Sequence, residues 1–366
     1  MKIKELPLKY WPLILVVLLG GALRLYGLLL NPISLYSDEV DMGYQALSLI
    51  KTGCDYSGFC LPVQFHSFSD VQPPIPIYLI ALAHLLSVPL DLSIRLVPAL
   101  FGLLGILFTY LLIGNLSSKK LFDLDLPHAG LFGALILTLV PWHFTYSRIG
   151  FALAMLYFFV TAGFYFFTEF LIKRKNTYLY LSVLFLGLSP MVYNTAKMSV
   201  IAYPVVLLLL PGSFELFKKS LSVKIALLAM FIPLVIMFVG GGTTARFDYI
   251  SIFSDPTAAT EINFQRQLDI GPGAPVGSSP SIPTKFFHNK PFWFAGNLIN
   301  NVFGLFSTDF LFTKGDPNLR HSPAGSGMLY RSMGPLLLIG IFFLIRHRHD
   351  RLLLVLGLLT MIAVST

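Results

Sequence analysis

The stretch Pro73-Pro74-Ile75-Pro76-Ile77-Tyr78-Leu79-Ile80-Ala81-Leu82-Ala83-His84-Leu85-Leu86 looks like a membrane span, and whether it crosses decides the sidedness of everything after it. With the N-terminal lysines Lys2, Lys4 and Lys9 inside, a crossing would put Lys119-Lys120 and Lys173-Arg174-Lys175 outside. That is against the tendency of basic residues to collect in cytoplasmic loops. If the stretch lies along the outer interface, or dips in without crossing, those clusters fall inside together with Lys218-Lys219-Lys224 and Arg346, Arg348 and Arg351. Residues 31–94 then form one large outer loop carrying two membrane-hugging helices, about 41–51 and 74–87. The polar, Gly- and Pro-rich residues 242–328 form a second.

The rest of the chain supports a bilayer setting. It has 366 residues, 55% of them hydrophobic, 14% aromatic and only 12% charged. A mean hydropathy of +0.74 lies outside the range of soluble domains. Its apolar stretches are long and unbroken, where β-barrel strands alternate and last about ten residues. The expected fold is therefore an all-α polytopic membrane protein with about nine spans, at 10–30, 95–115, 128–146, 149–172, 177–195, 198–212, 223–241, 329–345 and 352–366. The last offers about 22 Å of helix against a ~30 Å core, so the chain is expected to be a piece of a longer protein. The first contains Arg24 and no small-x-small cleavage site before Asp38, so it reads as a retained helix.

Several function classes are excluded. The net charge of +8 comes without an aromatic-basic pattern, and nucleic acid is not an expected partner. The cytoplasmic loops are short and lack a Gly-rich phosphate loop, which argues against a nucleotide-driven pump. Cys54 and Cys60 lie close together in the first outer loop, where a disulfide or two free thiols are both open readings.

Ser37-Asp38-Glu39-Val40-Asp41 follows directly on the first span and places three acids within four residues. Two readings compete. Asp38 as N-cap with Asp41 three residues on resembles a capping box. Alternatively the acids form an acid/base or metal site at the membrane surface, where partial desolvation raises carboxylate pKa values. Arg24 is costly inside a span unless paired, and an outer-loop acid is its expected partner.

Asp38-Glu39, Lys51-Thr52-Gly53, Gln72-Pro73-Pro74, Tyr78, Ile94-Arg95-Leu96, Pro141 to Ser147-Arg148 and Tyr193-Asn194-Thr195-Ala196-Lys197 occur in an order and sidedness that resemble the GT-C superfamily of integral-membrane glycosyltransferases. The nearest branch looks like that of the protein O-mannosyltransferases and lipid A aminoarabinose transferases. Ala245-Arg246-Phe247 and Gly315-Asp316-Pro317-Asn318-Leu319-Arg320-His321-Ser322 resemble a bacterial subgroup of it, which implies a bacterial inner membrane with the active site on the outer face.

The resemblance implies an inverting transfer of a sugar from a polyprenyl-phosphate donor to an acceptor that is protein, lipid or glycan. Asp38 is the implied general base, positioned or tuned by Glu39. Lys197 is implied as the cation at the donor phosphate. Arg148 either holds phosphate or pins a helix end. Tyr193, Asp70, Arg246, Arg320 and His321 complete the implied substrate-binding set. One departure is notable: where the aminoarabinose branch carries a further acid, Phe151-Ala152-Leu153 offers none.

No cofactor is expected to be required. A divalent metal held by Asp38, Glu39, Asp70 and His66, as in oligosaccharyltransferases, is the enzymatic alternative. A transporter or flippase of lipid-linked saccharide is the alternative of another class. It calls for inverted repeats and broken midplane helices, and no internal repeat is visible.

Overall fold

The computed structural model of the chain describes residues 10–68, 70–118, 121, 126–240, 255–271, 275, 278–318 and 325–346. It is built almost entirely of helices. The first, α1 (Trp11–Leu25), starts at a Trp-Pro step. Its successor α2 (Ser37–Thr52) ends at Gly53, whose φ of 73° supplies the left-handed turn a helix stop favours. A small antiparallel hairpin follows, β1 (Phe65–Ser67) with β2 (Asp70–Gln72), in the register Phe65 to Gln72 and Ser67 to Asp70.

The Pro-Pro stretch becomes α3 (Pro74–Leu85), 12 residues long. At 1.5 Å per residue that is about 18 Å, too short for the ~30 Å hydrocarbon core. Its Ile77, Ile80 and Ala81 are buried in one cluster with Met42 and Ala46 of α2. The helix therefore lies on its neighbour.

Two long helices form the centre, α4 (Leu90–Leu116) and α7 (Leu153–Lys173). Phe101 and Phe108 of α4 meet Phe158 of α7 edge-on, with ring centroids 5.2 Å apart in both pairs. Between them run α5 (Ala129–Leu139) and α6 (Pro141–Tyr146). Then come α8 (Asn176–Leu188), a 3₁₀ turn (Ser189–Met191), α9 (Ala196–Leu209), α10 (Ser213–Lys219), α11 (Leu221–Ala229) and α12 (Ile232–Val239). Beyond these lie α13 (Ala258–Ile270), α14 (Ile282–Phe287), α15 (Lys290–Leu305), a π-helical turn (Asp309–Thr313) and α16 (Met333–Arg346).

Three helical stretches are long and apolar enough to cross a membrane, Leu90–Leu116, Leu153–Lys173 and Leu221–Val239. A fourth candidate is the pair α9–α10, bent by 98°. Against the about nine spans expected from hydropathy, the described residues hold these three or four and four shorter apolar helices, Trp11–Leu25, Pro74–Leu85, Ala129–Leu139 and Met333–Arg346. Proline is one cause: Pro141 starts a new helix inside the expected span 128–146, and Pro190 sits in the 3₁₀ turn inside 177–195. The expected span 352–366 lies outside the described residues.

The start of α2 is fixed by a buried ion pair. Glu39, fully buried, accepts from Arg95 Nε at 3.0 Å and Nη2 at 3.3 Å. It also accepts from the backbone N–H of Tyr36 at 2.8 Å and of Gly150 at 2.7 Å. The remaining Arg95 donors reach the carbonyls of Leu28, Pro32 and Ser34. Tyr36 is therefore the N-cap residue and Glu39 satisfies its N–H, which corrects the expectation that Asp38 caps the helix. Gly150 permits the approach: a Cβ there would sit 2.7 Å from Ile94 Cγ2 and 2.8 Å from Glu39 Cγ.

Cys54 and Cys60 form a disulfide that closes the loop after α2. Within that loop Asp55 is buried and accepts from the N–H groups of Ser57, Phe59 and His66 and from His66 Nδ1 at 3.0 Å. Burial pushes its carboxyl up, but the His66 and Phe59 hydrogen bonds outweigh this and hold it below the usual carboxylate range.

Two outcomes are expected. Arg95→Met strands the Glu39 carboxylate and destabilises the protein by about 3–5 kcal/mol, read as a lowered thermal midpoint in detergent. Adding Glu39→Gln to Arg95→Met restores part of that loss. Because Asp55 has a folded pKa below its unfolded value of about 3.9, its ionised form stabilises the loop above about pH 4. That contribution disappears as pH falls through the depressed folded value. Amide-exchange protection at Phe59 and His66 should drop in that acid window and be low at every pH in Asp55→Ala.

Candidate active site

Asp38 is the half-exposed neighbour of the buried Glu39, in the first turn of α2, where the helix dipole favours negative charge. Glu39, expected beside Asp38 to position or tune it, is fully buried and turned inward onto Arg95. One turn on, half-buried Asp41 accepts from Ser67 Oγ at 2.7 Å and from Gln72 Nε2, both on the hairpin. Burial raises the Asp41 carboxyl and the charge of Asp38 adds to this, opposed by hydrogen bonds from Ser67 and Tyr56. Two carboxylates therefore share one face of α2.

A chain of bonds connects this face to the start of α9. Gln72 holds Asp41, and the carbonyl of the adjacent Val71 accepts from Asn194 Nδ2 at 2.9 Å. Three residues on, Lys197 stands half-buried in the first turn of α9. The 146–151 segment joins from the other side: Phe151 stacks on Tyr36 at 6.3 Å, in one cluster with Tyr146 and Ile149. Tyr193 and Asp316 both act electrostatically on the Tyr146 hydroxyl. Asp38, Lys197, Tyr193 and Tyr146 thus stand on segments that these contacts tie together, with Asp316 near enough to act on Tyr146 through its charge.

Other expected residues are placed differently. The Arg148 guanidinium is engaged by the carbonyls of Leu23, Arg24, Tyr26, Gly27 and Asn31, at 2.7 to 3.2 Å. It closes the C-terminal end of α1, and of its two readings these contacts favour the helix pin. Arg24 finds no outer-loop acid. Its partners are the carbonyls of Gly20, Leu137 and Thr138 and His143 Nδ1 at 2.8 Å, a correction to the expected ion pair. Of the expected metal set, Glu39 is held by Arg95 and His66 by Asp55. Among the described residues no three His, Cys, Asp or Glu side chains converge as ligands. Arg246, Arg320 and His321 lie outside the described residues, as does the side chain of Asp70, whose backbone pairs with Ser67.

Sequence reasoning left Arg95, Asp55 and Asp316 without a role. Arg95 was open to the argument used for Arg24, that a cation inside an apolar helix needs a partner. Asp316 stands in the quoted stretch 315–322, but nothing in the sequence brings that stretch to Tyr146.

Residues 71–238 match the family described as dolichyl-phosphate-mannose-protein mannosyltransferase. No curated protein matches by sequence. Among solved structures, the oligosaccharyltransferase of Archaeoglobus fulgidus in its apo form matches with a TM-score of 0.53 at 13% identity, over 98% of this chain and 50% of that one. AglB, the archaeal oligosaccharyltransferase of the same organism, in complex with an inhibitory peptide and a dolichol-phosphate, matches with a TM-score of 0.52 at 13% identity and the same coverage. At that identity the likeness is one of fold. The chain spans about half the length of these solved structures. Residues 71–238, a little under half of the chain, are thus similar to that mannosyltransferase family, and the fold of the described chain is similar to that of the oligosaccharyltransferases.

Proposed function

We propose that the protein is an inverting glycosyltransferase that moves a sugar from a polyprenyl-phosphate donor to an acceptor on the outer face of a bacterial inner membrane, with its N-terminus in the cytoplasm. The observation that carries this is the contrast between adjacent acids. Glu39 is wholly engaged in a buried ion pair, while Asp38 is turned out of the same helical turn and stands half exposed.

In the proposed reaction Asp38 takes the proton of the acceptor nucleophile as that atom attacks the anomeric carbon. The bond from that carbon to the phosphate oxygen breaks on the opposite face, and the configuration inverts. The lipid phosphate monoester leaves with the bonding electrons. It is a weak base and needs charge neutralisation more than a proton. Lys197 is the residue assigned to that, and Tyr193 and Asp316 are assigned to the sugar, whose hydroxyls take carboxylate and phenol partners. The inhibitory peptide bound in the AglB structure makes a polypeptide the first acceptor class to test.

The test compares wild type with Asp38→Asn in membranes, using a radiolabelled polyprenyl-phosphate sugar with and without a chelator. Wild type should release label from the lipid, and Asp38→Asn should lower that at least about a hundredfold, the usual weight of a general base, at an unchanged thermal midpoint. Label that changes leaflet while staying on the lipid, equally in both proteins, would sink the enzyme reading in favour of a flippase. Loss of wild-type activity on chelation would favour a metal-dependent ligase. Lys197→Ala should raise KM for the donor or lower kcat, and unchanged steady-state constants would remove it from the site.

A further inference from the structure

The helices between α12 and α16 leave large apolar side chains exposed, and two of them, α14 and α15, bury no residue at all. On α15 (Lys290–Leu305) the apolar residues Phe292, Ile299 and Phe303 share one arc, and Trp293, Asn297 and Asn301 the other. No residue of this helix is buried, and Phe303 is 71% exposed. On the polar arc Trp293 and Asn297 are half-buried, with Trp293 Nε1 donating to Glu261 on α13 at 2.8 Å, and Asn301 is exposed. A helix packed on a soluble core would be turned the other way round.

The aromatic surface continues beyond α15. Phe286 and Phe287 of α14 meet Phe292 with ring centroids 5.6 and 5.9 Å apart, and both are 59% exposed. The charges around it are sorted by sign. Glu261 is engaged by Trp293, and Asp269 pairs with His288 at 3.1 Å. Lys285 and Lys290, by contrast, stand exposed on either side of the aromatic cluster. Lys290 also lies in the first turn of α15, which holds no acid and where a helix dipole disfavours a cation. An anionic surface is what would complement that end.

The far end of α15 is tied to the membrane-embedded part of the chain. The π-helical turn at Asp309–Thr313 follows it, and its Phe310 and Leu311 carbonyls accept from the backbone of Met328 and Leu329 at 3.2 and 2.7 Å. Leu329 and Met333 pack against the cluster of Val16, Ile106 and Leu137, contributed by α1, α4 and α5. The exposed face is thereby tied to a cluster that includes α4, a helix long and apolar enough to cross a membrane.

We propose that the apolar face of Lys290–Leu305, with Phe286 and Phe287, is seated in the interface of the membrane that the chain spans, with Lys285 and Lys290 at anionic lipid headgroups. Basic residues flanking an aromatic, amphipathic surface are the combination that such an interface binds.

Because Cys54 and Cys60 are bonded to each other, an introduced cysteine is the only free thiol. Phe303→Cys and Asn301→Cys, each carrying an environment-sensitive fluorophore, can be compared on the full chain in nanodiscs of phosphatidylglycerol. The label at position 303 should be quenched at least about twofold by lipids bearing a nitroxide near the headgroup and be several-fold less open to aqueous iodide than the label at 301. Adding Lys285→Glu and Lys290→Glu should reduce the lipid quenching. Equal iodide quenching at both positions with none from lipid would overturn the proposal, as would shielding of 303 from both quenchers, the mark of a face covered by protein. Lipid quenching unchanged by the two charge reversals would overturn the role given to the lysines.

Discussion

The buried pair of Glu39 and Arg95 constrains everything around the site. Four donors converge on one carboxylate, from α4, from the chain before α2 and from the segment after α6. A buried ion pair contributes little net stability compared with an apolar pair of the same shape, since both charges are desolvated. Its effect is on position. With Glu39 pinned inward at the third residue of α2, the helical geometry turns the side chain of Asp38 about 100° away, toward the half-exposed side.

The arginines solve a second problem at the same place. Helix α1 ends at Leu25, and its last carbonyls have no partners within the helix. At membrane depth water does not supply them either. Arg148 takes five carbonyls between Leu23 and Asn31, and Arg95 takes those of Leu28, Pro32 and Ser34. Arg24 does the same for the end of α5 through Leu137 and Thr138. Three cations that would be expensive alone become the means by which irregular backbone is tolerated beside the acids. The loop from α1 to α2 is thus held by side chains from α4 and from the 147–152 segment.

These pairings explain what was legible in the sequence and what was not. Hydropathy and the length of the apolar stretches identified the helical class; it was the sidedness of the basic clusters that read the Pro-Pro stretch as not crossing, and α3 has only 12 residues. The run of acids marked the site. What could not be read was which group each arginine meets, because a carbonyl oxygen is carried by every residue and leaves no pattern. An acid is visible in the sequence, so Arg24 was assigned to one; the partner it has is backbone and His143. The choice of cap failed for a related reason. Asp38 has the better capping chemistry, yet Glu39 reaches back to the Tyr36 N–H because its carboxylate is already fixed from the other side by Arg95 and Gly150. The expected spans broke where proline interrupts them, and an average over a window of apolar residues is blind to one proline.

The hairpin bears on how the proposed reaction is organised. With only three residues in each strand it lends Phe65 to the core, and it also carries the bonds that join the two charged ends of the site. Ser67 and Gln72 grip Asp41, and Val71 receives Asn194 just before Lys197. Base and cation therefore stand on different helices whose relative placement runs through a two-stranded element and two side-chain amides. A donor phosphate drawn to Lys197 and an acceptor drawn to Asp38 would meet across that element. The loop that precedes it is closed by the Cys54–Cys60 disulfide and packed by Asp55 and His66. Such a loop restricts the hairpin without the large apolar core that so small an element cannot build. In the proposed reaction, the precision of base to phosphate placement rests on polar contacts, and these are the contacts most sensitive to acid and to reduction.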